Sequence, residues 1–397
     1  MSYYDFQAVP RYIQCENILR EFKRLTYGMG SNFLILTACG VITESVKDAI
    51  RASFESSAAS GFNEEFARHN FKYAAEMKRG DREYEEKEIH YEFVDYEEIP
   101  LTRETAVELV KYIKDNHFDV IVGVGGGKAQ DFVRAAGHYM DITMALVPTV
   151  AATNASATNY CVIYNAEGTR ITDFWKLREC QQLVLADPNI LINAPLRTLS
   201  AGIGDTISTF YEALNVAKRT GNTEFYPASG WAYIKASIEL FYKCGPEAYK
   251  LAKEKKVSPA YETVISLILH SVGPIRACCV SGIGHIIDEG LITFESCKKL
   301  MHGALVGYGV IPMMVFDNED QEKIEKYIQF GIDVGIPVSF EELGIQNVSR
   351  EELLKACETA VHGTMIQSFP YKVTAEELVD IMLKAETIVT EYLRNIQ

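Results

Sequence analysis

The sequence predicts two contrasting halves: an α/β half built on a largely parallel sheet, then an all-helical half. Three observations predict it. Short β-rich runs alternate with amphipathic helical stretches up to Asp187-Pro188. Among them stands Val120 to Asp131, VIVGVGGGKAQD, a strand that runs into glycines and then a helix. Beyond residue 188 nearly every segment carries a helical period. Strict β-α alternation returns the chain to the same end of the sheet each time, which makes the strands parallel. The boundary falls near 188–195, dividing the chain into 1–190 and 191–397, and the cleft between the halves is the default site.

In order, Asn32 to Thr37 (NFLILT) is the first strand, followed by a helix from Thr43 to Phe54. Residues 55–86 mix serine, glycine and dense charge and read as a solvated, partly helical excursion. His90 to Val94 is a short strand, and Leu101 to Asn116 a helix whose apolar face is Ala106, Leu109, Val110 and Ile113. Val120 to Val124 is a buried strand feeding Gly125, Gly126 and Gly127, with Lys128 next and Asp131 on the first helical turn. Such a junction gathers bare N–H groups and a positive helix end, which together hold phosphate. The same glycines also suit a plain tight turn. Ala129 after the lysine excludes the GxxxxGK[ST] loop.

Ile142 to Val147 is the next strand, and Pro148 to Thr158 (PTVAATNASAT) leaves its carboxyl end, where α/β proteins bind ligands. Thr149, Thr153, Asn154 and Thr158 can bond a ligand there or satisfy their own turns. Asn159 to Tyr164 and Leu183 to Ala186 are further strands, with Asn165 to Gly168 as a turn between them. Helices follow at 198–218, 226–243, 259–272, 298–315, 317–331, 350–366 and 375–392. Capping boxes, Ser349 with Glu352 and Thr374 with Glu377, open the last two.

Composition excludes several classes. A net charge of -15 over 397 residues leaves no basic stripe for nucleic acid. The start, MSYYDFQAVPRYIQC, has no basic and apolar leader pattern, and the longest apolar run, Ala304 to Phe316, is too short to span a membrane. Nine scattered cysteines without a CxxC pair point to free thiols in a reducing cytoplasm.

The helical half holds three residues with metal-binding chemistry. Asp205 lies in AGIGDTIST, His285 in SGIGHIIDEG and His302 in LMHGALVGYG. One aspartate and two histidines fill three positions on a zinc-like ion and leave a fourth open. A histidine among apolar residues is also an ordinary core residue, and spacing does not choose between the two. His270, at the end of an apolar run, reads as core or interface.

Several ordered motifs then agree: PRYIQC at Pro10 to Cys15, GVGGGKAQD, PTVAATNAS, ADP at Ala186 to Pro188, NAPLRTLSAGIGDTISTFYEA at Asn193 to Ala213, and the two histidine segments. Together the chain resembles the glycerol dehydrogenase branch of the iron-containing alcohol dehydrogenase superfamily. NYCVIYNAEG and AGIGDT also resemble a sister group that reduces 2-oxo acids. The resemblance implies a dehydroquinate synthase-like architecture, with a Rossmann-like dinucleotide-binding domain before a helical metal-binding domain. It implies hydride transfer between NAD(P)(H) and a small polyol, secondary alcohol or its ketone, with 2-oxo acids as the alternative substrates.

By the same resemblance, Gly125, Gly126, Gly127, Lys128 and Asp131 hold the cofactor diphosphate and neighbouring groups. Thr149, Thr153, Tyr160 and the position of Ala38 line the rest of the dinucleotide. Asp205, His285 and His302 are the catalytic metal ligands. Thr209 stands where the iron-dependent branch has a third histidine, and His285 and His302 are 17 apart, so Zn²⁺ is the expected ion.

Three departures bear on specificity. Asn154 replaces the aspartate of an STDAP motif and would meet substrate. The HxxHNG pattern reads His285-Ile-Ile-Asp288-Glu289-Gly290, so Asp288 either orients His285 or lines the pocket. Ala38 replaces the acid that would bind the adenosine ribose, which weakens strict NAD use. A homo-oligomer is expected. A lyase like 3-dehydroquinate synthase would need clustered basic residues that the helical half lacks, and a non-catalytic scaffold would not need all three ligands.

Overall fold

The structure, a computed structural model, describes residues 8–37, 41–56, 88–96, 99–168, 171–221, 228–272 and 282–396. Ala38, Cys278 and Cys279, and all but the first two residues of the excursion at 55–86, lie outside the described residues. Six strands form one sheet in the order β1 (Tyr12–Gln14), β8 (Leu183–Ala186), β5 (Thr143–Pro148), β4 (Val120–Gly125), β2 (Asn32–Thr37), β3 (His90–Asp95). Every pairing in it is parallel. Helices α1 (Val41–Glu55), α2 (Arg103–Asp115) and α3 (Gly127–Tyr139) belong to this half.

The central strands β2, β4, β5 and β8 are buried on both faces, which is why they read as apolar runs, whereas the edge strand β3 is partly exposed. Leu34, Ile121, Leu146 and Val184 pack with Ala106, Val110 and Val133 of α2 and α3. Phe33, Ile35, Val122 and Leu185 face the other way, against Val46 and Ile50 of α1.

Two strands depart from expectation. Asn159 to Tyr164 does form a strand, β6 (Tyr160–Tyr164), but outside the parallel sheet. It makes an antiparallel hairpin with β7 (Ile171–Lys176), which was not foreseen. Gly168, with φ 68°, supplies the left-handed residue that this turn requires. The three residues of β1 are too few to show any periodicity.

Among the described residues, helices alone follow Ala186. The long ones are α4 (Leu196–Thr220), α5 (Ala228–Lys253), α6 (Pro259–His270), α7 (Ile283–Leu291), α8 (His302–Phe316), α9 (Gln321–Val334), α10 (Arg350–Ala360) and α11 (Ala375–Ile396). They share a single core, from Ile203 and Phe210 on α4 to Leu378 and Val389 on α11. Both capping boxes form. Helix α5 runs on through Pro246, well past the expected stop at 243. Helix α8 begins at His302 rather than 298, because Cys297–Lys299 forms a separate 3₁₀ turn. Helix α7 was missed altogether. Among the described residues no helix is long and apolar enough to cross a membrane.

Candidate metal centre and dinucleotide cleft

Asp205 lies midway along α4, His285 in the first turn of α7 and His302 at the first position of α8. Each has a glycine neighbour in sequence, Gly204, Gly284 and Gly303, and these glycines set how closely the helices approach. A Cβ on Gly303 would stand 1.9 Å from the Ala201 carbonyl oxygen, and one on Gly204 would stand 2.1 Å from that of Gly303. Across the other contact, a Cβ on Gly309 would stand 2.6 Å from the Gly284 Cα. Backbone against backbone, α4, α8 and α7 bring three short side chains to one point.

There the ligand atoms lie within 4.8 Å of one another. Asp205 Oδ1 is 3.9 Å from His285 Nε2 and 3.9 Å from His302 Nε2. An ion with bonds of about 2.0–2.2 Å would separate tetrahedral ligands by roughly 3.3–3.6 Å, close to this spacing. Asp205 and His285 are buried, whereas the His302 side chain is 45% exposed, so the centre opens on the His302 side.

Carboxylates aim both imidazoles. Glu212 is fully buried; its Oε1 and Oε2 each stand 2.8 Å from His285 Nδ1, and Oε1 also accepts the His285 backbone N–H at 3.0 Å. Asp288 Oδ2 is 2.8 Å from His302 Nδ1. A proton held on each Nδ1 leaves both Nε2 lone pairs directed into the centre, the usual outer arrangement of histidine metal ligands. Asp205 Oδ2 accepts from Thr153 Oγ1 and from the Asn154 backbone N–H, both at 2.8 Å, leaving Oδ1 toward the histidines. Three carboxylates gathered around two imidazoles form a group whose negative charge a divalent cation balances. The donor set therefore fits such an ion.

Asp288 serves His302, not His285 as one sequence reading had it, and among the described residues its buried Oδ1 has no hydrogen-bond partner. Glu212 was missed. Its signal was present: seven residues after Asp205 places it two turns along the same face of α4.

The glycine junction lies beside this centre. Gly125 has φ 155°, which L side chains rarely adopt, and α3 starts at Gly127, earlier than expected. Gly126 and Gly127 are half-buried and Lys128 is exposed, so the helix N-terminus faces outward. Side chains there would crowd the next loop: a Cβ on Gly126 would meet Val150 Cγ2 at 3.1 Å, and one on Gly127 would meet Thr153 Cγ2 at 3.3 Å. Bare backbone at an open helix start fits a diphosphate. Thr149, 8% exposed, donates its N–H to the Gly125 carbonyl at the mouth of β5. Tyr160 is half-buried on β6, with Lys176 Nζ 5.8 Å from its ring centroid.

Two sequence assignments change here. Asp131 does not face the loop; it is buried, bonds Arg134 Nη2 at 2.8 Å and accepts the Val162 N–H, and burial pushes its carboxyl up. Arg134 Nη1 in turn holds the Ala155 carbonyl at 2.8 Å. Asn154 is 3% exposed, and its Nδ2 donates to the Asp205 carbonyl at 3.2 Å and to Thr209 Oγ1 at 3.3 Å, so it ties the loop to α4 rather than meeting substrate. Thr153 touches both sites, its methyl against the position of a Gly127 Cβ and its hydroxyl on Asp205.

A family model described as iron-containing alcohol dehydrogenase matches residues 70–188. The chain is 29% identical over 283 residues to the glycerol dehydrogenase of Thermotoga maritima, covering 68% of this chain and 76% of that one. An oxidoreductase of Synechocystis sp. is 30% identical over 308 residues, covering 74% of this chain and 77% of its own. Among solved structures, the glycerol dehydrogenase of Schizosaccharomyces pombe superposes with a TM-score of 0.81 at 20% identity, covering 100% of this chain and 93% of that one. Family membership carries a nicotinamide cofactor and a divalent metal with it, and the Asp205–His285–His302 group has the donors for such an ion. The chain belongs to the iron-containing alcohol dehydrogenase family, in its glycerol dehydrogenase branch, and is an alcohol oxidoreductase.

Proposed function

We propose that this enzyme transfers hydride between NAD(P)(H) and a small neutral polyol or its ketone, as a glycerol dehydrogenase does. Residues 1–190 bind the dinucleotide and 191–397 the metal. The observation that carries the reading is Thr153, one residue that packs on the glycine junction and bonds the metal carboxylate Asp205. It holds the cofactor loop and the Asp205–His285–His302 centre in one rigid frame. Hydride transfer requires that registration.

A bound divalent ion supplies a Lewis acid that lowers the pKa of a substrate hydroxyl or polarises its carbonyl. The chain does the rest. Gly126 and Gly127 present backbone N–H groups that fix the diphosphate. Glu212 and Asp288 keep the Nδ1 protons, so both Nε2 atoms stay available. The half-exposed side of His302 is where the substrate oxygen enters. Thr209 in place of a further histidine favours Zn²⁺ over iron, because three ligands suit a redox-inert tetrahedral ion.

Charge favours a neutral substrate over a 2-oxo acid. Asn154 turns into the protein, so the missing aspartate does not expose an uncharged patch to substrate. Asp288 adds a carboxylate beside His302, which repels an incoming anion. The described cysteines, from Cys15 to Cys357, are free thiols, which suits a reducing cytoplasm.

The test is a steady-state comparison of zinc-loaded protein with NADH and NADPH on dihydroxyacetone, 2-oxobutyrate and 2-oxoglutarate, with Asp205→Ala as control. Dihydroxyacetone is expected to be turned over with a kcat/KM above that of both acids. Preference for the 2-oxo acids would replace the polyol assignment by the hydroxycarboxylate one.

A further inference from the structure

Sequence places no acid after β2, where a ribose-binding carboxylate is expected, and on that ground strict NAD use is weakened. The neighbouring strand changes this. Thr37, the last residue of β2, is in register with Val124, the residue before Gly125 on β4. On its other side Thr37 is in register with Asp95, the last residue of β3. Asp95 therefore stands at the same carboxyl edge as the glycine junction, two strands or roughly 10 Å along. Its side chain leans back over β2: Oδ1 accepts the Thr37 hydroxyl. The carboxylate thus lies over the end of the strand that a ribose-binding acid would otherwise extend.

Two further charges define the spot. Lys47 on α1, buried, sits 2.9 Å from Asp95 Oδ1 and 3.0 Å from Glu44 Oε1. Two carboxylates around one ammonium leave a net negative charge, and the ammonium is already engaged by both. The Asp95 side chain is 48% exposed, and among the described residues no hydrogen bond reaches Oδ2. A hydroxyl can donate to that oxygen, whereas a phosphate of charge about -1.5 to -2 meets like charge there.

We propose that Asp95 reads the adenosine ribose by accepting its 2′-hydroxyl and makes this enzyme prefer NAD(H) over NADP(H). The acid-bearing edge of β3 thereby takes over the role that Ala38 cannot fill. The inference rests on the dehydrogenase reading. A second carboxylate, Glu44, is 60% exposed and strengthens the repulsion at longer range.

The experiment is a fluorescence titration of NADH and of NADPH on the wild type, Asp95→Asn and Glu44→Gln, with the kcat/KM ratio for the two cofactors as a second readout. The wild type is expected to bind NADH about tenfold or more tightly than NADPH, the scale of one charge-assisted hydrogen bond. Asp95→Asn should erase most of that ratio by weakening NADH and strengthening NADPH, and Glu44→Gln should shift it the same way by less. A ratio unchanged in Asp95→Asn, or both cofactors weakened alike, overturns the proposal. Wild-type protein that turns over its substrate yet prefers NADPH overturns it and leaves the dehydrogenase reading intact. Wild-type protein that binds neither cofactor overturns both.

Discussion

Glu212 shows how much of the centre depends on residues that never touch an ion. It is fully buried and meets His285 twice, at the ring and at the backbone. Replacing it by glutamine keeps the shape but removes the charge that holds the Nδ1 proton, and metal affinity should fall about 10–100-fold. Competition against a chelator measures this, and an unchanged affinity would reduce Glu212 to packing. Burial also sets a pH effect at Glu386, whose carboxyl it pushes up while the Phe340 N–H, 2.9 Å from Oε2, opposes the shift. The folded form then binds the proton more tightly than the unfolded form, so this residue's contribution declines as pH rises from the ordinary carboxylate range through the raised value. Glu386→Gln should accordingly raise Tm at pH 8 and confer little at pH 4; an equal gain at both would exclude the linkage.

Asp205, His285 and His302 were named from the ordered family motifs, since spacing alone left each histidine an ordinary core residue, and the fold brings their ligand atoms within 4.8 Å of one another. Glu212 was not named, since a carboxylate in an amphipathic helix usually marks a solvated face. Asp131 was misread for a related reason: closeness to the glycines in sequence does not say which way a side chain turns.

Helices α4, α7 and α8 meet through glycines, and the metal centre is a product of that contact. Gly303→Ala would drive a methyl into the Ala201 carbonyl oxygen, 1.9 Å away, and α8 would have to retreat from α4. A loss of about 1–3 kcal/mol in stability is expected from such overpacking. Metal affinity should fall with it, because His302 is the next residue. Unfolding midpoints and chelator competition on the same variant test both, and a stable variant with weakened metal binding would place the effect in helix spacing alone. The glycines that build the site also hid α7 from the sequence. SGIGHIIDEG has low helix propensity, and tertiary packing overrides it. Helix α5 shows the opposite case, continuing through Pro246 past its expected stop at 243. Elements with a plain period, such as β2, β4, β8 and α2, were read to within about two residues.

The order of the two halves followed from periodicity alone: a switch from alternating strands and helices to helices only marks where the chain leaves the sheet. What periodicity cannot show is how the halves are fastened. Thr153 and Asn154 do this, bonding Asp205 from a loop that leaves β5. Their hydroxyl and amide groups were visible in the sequence, but their partners lie more than 50 residues away. Short-range pattern carries no information about such pairs. The same holds for Thr37 and Asp95, 58 residues apart and adjacent only through sheet register.

The proposed hydride transfer requires a cation held by Asp205, His285 and His302 beside the glycine junction. The direct measurement is reduction of dihydroxyacetone with NADH by protein stripped with a chelator, then titrated with Zn²⁺, for the wild type and Asp205→Asn. Stripped wild type should be inactive and regain turnover with one ion bound per chain, while Asp205→Asn should bind the ion weakly and stay inactive. Full turnover by the stripped protein, or by Asp205→Asn, would contradict this requirement.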